Sequence, residues 1–162
     1  LLLHRPDALV EPEEVARAFD HLESSAKVRH FGVSNHAPQI DLLKTAVRQP
    51  IVANQVQLSI GHAVLIAQGL SSNMTDYDDS ITRDGGGRAD YARINDITLQ
   101  AWSPFQKGFH GGVFLDSLDY PELNAELDRL AAKYVVTSIA VATAWITRRH
   151  ANIQVVLGTT TP

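Results

Sequence analysis

Val28-Arg29-His30-Phe31-Gly32-Val33-Ser34-Asn35-His36-Ala37-Pro38 holds a strand, a loop and the start of a helix in one short stretch. Val28 to Val33 is β-branched and aromatic, which suits a strand, and Ser34 to Pro38 closes it with cap and turn residues. Either Asn35 or Ala37 begins the helix that follows. Ile40, Leu42, Leu43, Ala46 and Val47 give that helix its apolar face, and Pro50 ends it before a strand over Val52 to Leu58.

The same unit recurs on both sides. Toward the N-terminus, Leu1-Leu2-Leu3 reads as a strand buried on both faces, with His4 at its exit and Pro6 breaking the chain. Glu11-Pro12-Glu13-Glu14 then suits a helix's first turn, and Val15, Ala16, Ala18, Phe19 and Leu22 carry a helix from about Pro12 to Lys27. Toward the C-terminus, Gly61 to Gly87 holds no sustained period and is expected to be a functional or mobile loop. Arg88 to Asp96 resumes a helix, Ile97 to Trp102 is a strand stopped by Ser103-Pro104, and Pro121 to Tyr134 and Thr137 to His150 are two further helices, the second capped by Thr137. Ile153 to Leu157 is the last strand. Five strands alternating with helical crossovers predict a parallel α/β architecture, either an open sheet or a barrel.

The chain has 162 residues, 44% apolar and 20% charged, the balance of one globular domain. Fourteen Lys and Arg against 18 Asp and Glu leave a net charge of −4 with no basic cluster, so nucleic acid is not an expected partner. No apolar run reaches the roughly 20 residues of a membrane span, and no signal-peptide pattern opens the chain, so no membrane association and a cytoplasmic location are expected. The absence of cysteine excludes disulfides, zinc–thiolate sites and cysteine nucleophiles. A chain that starts inside a strand, without Met, is expected to be part of a longer protein.

The candidate polar groups all fall just past predicted strand ends: His4, Ser34-Asn35, Gln55, Ser103 and Gly158-Thr159-Thr160. In parallel α/β folds ligands bind at that edge. No G-x-G-x-x-G, G-x-x-x-x-G-K-[ST] or G-x-S-x-G pattern occurs, which excludes the commonest phosphate loops and the serine-hydrolase elbow.

Leu-Leu-His-Arg-Pro-Asp, Phe31-Gly32-Val33-Ser34-Asn35, Asn54-Gln55, Ala101-Trp102-Ser103-Pro104-Phe105 and Val156-Leu157-Gly158-Thr159-Thr160 together resemble, in order, the signatures of the aldo-keto reductases. The resemblance implies a partial (β/α)8 TIM barrel over residues 1–162, a single incomplete domain running from the fourth strand to the eighth. The first three strand–helix units and the C-terminal tail would lie outside it. It also implies an oxidoreductase that reduces aldehyde or ketone carbonyls with NADP, or with NAD as the other candidate. His4 resembles the histidine that orients the carbonyl oxygen, and Ser34, Asn35 and Gln55 resemble the side chains that hold the nicotinamide carboxamide, a group with one donor and one acceptor face. Trp102 stands where the family places an aromatic that stacks on the nicotinamide ring. Ser103 and Phe105 resemble the start of the loop over the pyrophosphate. Gly158 and Thr159 stand where many members carry a lysine and a serine that read the 2′-phosphate, so the glycine removes a cation.

The family's aspartate, proton-donating tyrosine and lysine belong to the units outside this chain. Tyr77, Tyr91, Tyr120 and Tyr134 do not replace that tyrosine by position, so the chain alone is expected to be inactive. Two other classes remain open: a noncatalytic cofactor-binding or regulatory module, and a half-barrel that self-associates or pairs with a missing barrel portion. Plainer roles also apply. Ser34-Asn35 suits a helix cap, Trp145 a helix core position, and His21, His30 and His150 the surface. His36, His62 and His110 fall in rim loops, and Asp76, Asp78 and Asp79 in a solvated loop lacking the glycine and glutamate of a calcium site.

Overall fold

In the computed structural model the described residues are 1–5, 7–34, 37–67, 87–108, 111–148 and 152–158. Asn35, His36, Tyr77, the aspartates near it, His110, His150 and Thr159 lie outside them. Five strands, β1 (Leu2–Leu3), β2 (Phe31–Val33), β3 (Ile51–Gln57), β4 (Thr98–Trp102) and β5 (Ile153–Val155), form one sheet. All the pairings are parallel and the spatial order equals the chain order, β1-β2-β3-β4-β5. A doubly wound sheet reverses direction partway and carries helices on both faces. Here each crossover advances one place the same way, and right-handed crossovers of that kind put every helix on one face. Strand order therefore chooses between the two architectures that periodicity left open. The sheet is an arc of the kind that makes up a (β/α) barrel.

Burial follows that geometry. Registered residues in a parallel sheet share a face and alternate residues change face. One face carries Phe31, Val33, Asn54, Val56, Leu99, Ala101 and Ile153, all buried. It packs against Phe19 of α1 (Pro12–Ser24), Ile40 and Leu43 of α2 (Ala37–Lys44), Ala92 of α4 (Arg88–Ile94) and Ile146 of α6 (Ser138–Thr147). Phe19 and Phe31 stack with centroids 4.2 Å apart. The other face carries Gln55, Gln57, Thr98, Gln100 and Trp102, all half-buried, and the exposed Gln154.

Gly32 lies on this second face, where a Cβ would stand 2.5 Å from Leu2 Cδ2 and 2.7 Å from the Ala53 carbonyl oxygen. No side chain fits between β1 and β3 there, so glycine lets the strands close up.

Several boundaries move. Leu2 and Leu3 are half-buried and Leu1 is 56% exposed, because among the described residues β1 pairs only with β2. The helix expected to reach Lys27 ends at Ser24: Ala26 turns left-handed, and Lys27 N and Val28 N both donate to the Leu22 carbonyl, closing the end. Among its described residues, the loop expected over Gly61 to Gly87 contains a helical turn, α3 (Val64–Ala67), whose Leu65 is buried in the main core. One boundary holds: Thr137 caps α6 (Ser138–Thr147) as expected, accepting from Ala140 N at 3.1 Å. Helix α6 follows α5 (Pro121–Tyr134) after a sharp turn at Val135. Among the described residues no single helix is long and apolar enough to cross a membrane.

Candidate functional site

Because the strands are parallel, their C-terminal ends share one edge, and each candidate residue is delivered there by a different strand. His4 follows β1 and is exposed. Ser34 follows β2, and its N–H donates to the Leu3 carbonyl at 3.1 Å, so β1 and β2 leave the sheet together. The Ser34 hydroxyl donates to the Gln55 carbonyl at 2.8 Å. That bond pins the end of β2 to β3, and it leaves the hydroxyl oxygen's lone pairs available to accept.

Asn54 and Gln55 separate across the sheet. Asn54 is buried on the helix-covered face, and Gln55 is on the open one, so only Gln55 can meet a ligand. Its Nε2 donates to Gln100 Oε1 at 3.3 Å, and Gln100 Nε2 donates to Gln154 Oε1 at 3.2 Å. One step further along, Trp102 stands in register with Gln57. Gln57 Nε2 is buried with no hydrogen-bond partner among the described residues.

The chain after β4 turns at Ser103, whose φ is +50°. Gln106 bridges Val113 in antiparallel fashion, Lys107 N donates to the Gly112 carbonyl and Phe114 N to the Phe105 carbonyl, so the segment folds back as a hairpin. Three anchors fix it. Ser59, fully buried, donates to the Gln106 carbonyl at 2.5 Å. Asn124 donates to the carbonyls of Phe114, Ser117 and Tyr120 and accepts from Asp116 N. Phe114, fully buried, packs with Leu127 and Ala142, and the half-buried Phe105 joins that cluster. Ser103 and Phe105 thus sit on a braced loop at the edge where His4 and Ser34 also emerge.

Lys107 donates to Asp119 at 2.5 Å and to Ser117 at 3.1 Å. The lysine's hydrogen bond, then its charge, hold the Asp119 carboxyl below its usual value of 3.8. A carboxyl depressed in the folded state stabilises it fully above the unfolded pKa, and the contribution is lost as pH falls through the folded value. The clasp should therefore hold at neutral pH and release only in acid below 3.8. Carboxyl NMR titration should find the Asp119 midpoint below that value, and Lys107→Met should return it upward.

Gly158, past β5, is exposed, and a Cβ there would meet nothing within 4 Å. Packing does not demand glycine at that position. Of the tyrosines, Tyr91 donates to Asp41 and accepts from Lys44 at 3.3 Å. Burial, then the Asp41 hydrogen bond and charge, push its pKa up. A proton-donating tyrosine needs the opposite shift, so Tyr91 works as a clamp between α2 and α4. The ammonium groups of Lys107 and Lys133 stand over the rings of Tyr120 and Tyr134, 5.6 and 5.1 Å from their centroids. Trp145 is half-buried against the main core, and His21 and His30 are exposed, as expected.

Gln100, Gln154, Gln57, Ser59, Lys107 and Asn124 were not singled out by sequence reasoning. The glutamines carry one available signal, since aligning β3 and β4 by their ends brings Gln55 opposite Gln100, while Gln154 joins them only through the observed register of β5. Asn124 carries none, being an ordinary polar residue at helical spacing.

These features are those of one family. The sequence model of the Aldo/keto reductase family matches residues 1–162, and the chain belongs to that family of oxidoreductases, which generally use NAD(P)H. A 6-dehydroglucose reductase of Agrobacterium fabrum is 36% identical over 160 residues, 98% of this chain and 46% of that protein. The uncharacterized oxidoreductase YcsN of Bacillus subtilis is 32% identical over 161 residues, 98% of this chain and 47% of that protein. Among solved structures, the thermostable aldo-keto reductase Tm1743 superposes with a TM-score of 0.64 at 20% identity, covering 98% of this chain and 49% of that one. The chain thus spans about half the length of these relatives.

Proposed function

We propose that these residues form the later part of a (β/α)8 barrel, fourth strand to eighth, in an enzyme that reduces aldehyde or ketone carbonyls with NAD(P)H. The observation that carries this reading is the union of Ser34 and Gln55. The Ser34 hydroxyl donates to the Gln55 main-chain carbonyl at 2.8 Å, which ties these two polar residues to one strand edge, two residues short of the position level with the half-buried Trp102. Both side chains keep acceptor capacity for a carboxamide NH₂, and Asn35 is the residue type that would supply the donor its oxygen needs. The residues present fit the cofactor: Ser34, Asn35 and Gln55 would hold its carboxamide, Trp102 would stack on the ring, and the braced loop from Ser103 and Phe105 would lie along the pyrophosphate.

When bound, the reduced nicotinamide supplies a hydride. His4 orients the carbonyl oxygen by donating a hydrogen bond as negative charge develops there. Holding the amide fixes which ring face is presented, a positional effect. The proton comes from residues outside this chain, so the 162 residues alone are expected not to reduce carbonyls. Gly158 withdraws a cation from the place where the 2′-phosphate is read, which weakens the usual preference for NADP and keeps NAD as the other candidate, while the open space around it would admit a longer side chain. The carbonyl substrate is a small molecule, and it is not specified by these residues.

Hydride transfer is tested by following NADPH or NADH oxidation against a panel of aldehydes and sugars, using the full-length protein. Gln55→Met should weaken cofactor binding about tenfold, the loss of one half-buried hydrogen-bonding partner. Binding unchanged in that variant, or no oxidation with any carbonyl, would refute the reading. The half-exposed sheet face and the unpaired side of β1 favour a second reading, closure by self-association. Sedimentation of the 162-residue chain as a well-folded monomer would rule it out.

A further inference from the structure

We infer that Ser59 is a positioning residue: it ties the turn that would lie along the cofactor's pyrophosphate to the exit of β3, the strand that carries Gln55, and so sets the pyrophosphate subsite relative to the nicotinamide subsite. The inference rests on the cofactor reading above and adds a residue that the reading does not use.

The turn is Ser103-Pro104-Phe105-Gln106, closed by Gln106 N donating to the Ser103 carbonyl at 3.1 Å. Pro104 is buried and has no N–H, and Gln106 N is spent on the closure. Phe105 N–H is therefore the backbone donor left inside the turn, and it has no partner among the described residues. A free N–H two residues from the Ser103 hydroxyl suits a phosphate oxygen. Where that N–H aims depends on how the closing residue, Gln106, is held.

The Ser59 hydroxyl holds it, donating to the Gln106 carbonyl at 2.5 Å from a fully buried position. A carbonyl can only accept, so the direction of this bond is fixed by its chemistry. Ser59 is itself held, since its N–H donates to the His62 carbonyl and its carbonyl accepts from His62 N, each at 3.2 Å. It stands two residues past Gln57, the end of β3, and four past Gln55. A short run of one strand and a single hydrogen bond thus join the nicotinamide end to the turn. Gly61 makes room for that approach: a Cβ there would stand 3.3 Å from Lys107 Cα and 3.4 Å from Phe114 Cδ1. Asn124 acts elsewhere, on the carbonyls of Phe114, Ser117 and Tyr120 along the returning limb. Loss of the Ser59 hydroxyl would release the turn from β3 while the returning limb stays braced.

A buried hydroxyl that only stabilises the fold behaves differently from one that places a subsite. In the full-length protein, fluorescence titration gives affinities for the reduced dinucleotide, NADPH or NADH, whichever the wild type binds more tightly. The same titration is run with reduced nicotinamide riboside, which keeps the nicotinamide and carries no phosphate. Ser59→Ala should weaken the dinucleotide about tenfold, the value of one well-made hydrogen bond, and leave the riboside within about twofold. Gln55→Met should weaken both ligands by a similar factor, because both carry the carboxamide. Gly61→Ala removes no hydrogen bond and displaces the hairpin by a few tenths of an ångström, so it should weaken the dinucleotide about threefold and spare the riboside. If Ser59→Ala fails to fold, the Gly61→Ala ratio decides alone. A purely structural Ser59 would lower the melting temperature and leave the ratio of the two affinities at its wild-type value, which overturns the inference. Failure of the wild type to bind either ligand would overturn the cofactor reading along with it. Wild-type binding with an unaltered ratio in the variants would overturn the inference alone.

Discussion

Phe114→Ala lowers the free energy of unfolding by about 3–5 kcal/mol, the range for a fully buried aromatic cut back to a methyl group. Phe114 is fully buried and is the largest member of the second core cluster, packed with Leu127 and Ala142 and flanked by Phe105, Leu115, Tyr120 and Leu123. Its site cannot collapse easily, because the backbone around it is pinned. Phe114 N donates to the Phe105 carbonyl, and its own carbonyl accepts from Asn124 at 2.9 Å. Held walls leave a cavity, and a cavity is what makes such a truncation costly. The loss should appear as a lower urea midpoint at unchanged slope. It should also reach function, since Phe105 leans on the same cluster and carries the loop that begins at Ser103. Cofactor affinity should fall in the folded variant. A stability change under about 1 kcal/mol would mean that this cluster does not brace the loop.

The elements most legible in the sequence were those whose signal is local. Pro121 at the start of α5 and Thr137 capping α6 announce their helices in a few residues. The parallel class was legible because strand and helix periods alternated from Phe31 to Leu99. Barrel rather than open sheet was not, since strand order is a relation among segments and no segment carries it. The end of α1 was misplaced because Ala26, a good helix former, takes a left-handed turn that closure onto Leu22 stabilises. Leu1 to Leu3 read as a doubly buried strand, but burial depends on what lies beside β1, and composition does not report neighbours. For the site, His4, Ser34, Gln55, Trp102 and Ser103 came from motifs, and the topology does bring their strand ends to one edge. The glutamine row and the Asn124 brace came from register and from loop closure. Both depend on residues far apart in the chain.

His4→Ala should lower kcat/KM for carbonyl reduction in the full-length protein roughly 10²- to 10³-fold, the scale for removing one donor aimed at a developing oxyanion. What makes the experiment clean is the place of His4 in the fold. It is exposed, one residue past Leu3, and the chain turns away immediately after it, with Arg5 at a φ of +61°. Little packing depends on it, so stability should change by no more than about 0.5 kcal/mol. Cofactor affinity should hold too, because Ser34 and Gln55 are fixed by their own bond at 2.8 Å. An effect confined to turnover separates an oxygen-orienting residue from a structural one, which would lower the melting temperature as well. His4→Gln, which keeps an N–H donor of similar reach, should recover part of the loss. Full activity in His4→Ala would remove the histidine from the reaction and leave the strand edge as a cofactor site alone. That result would favour the noncatalytic alternative, in which a reductase-like groove binds a nucleotide without acting on a carbonyl.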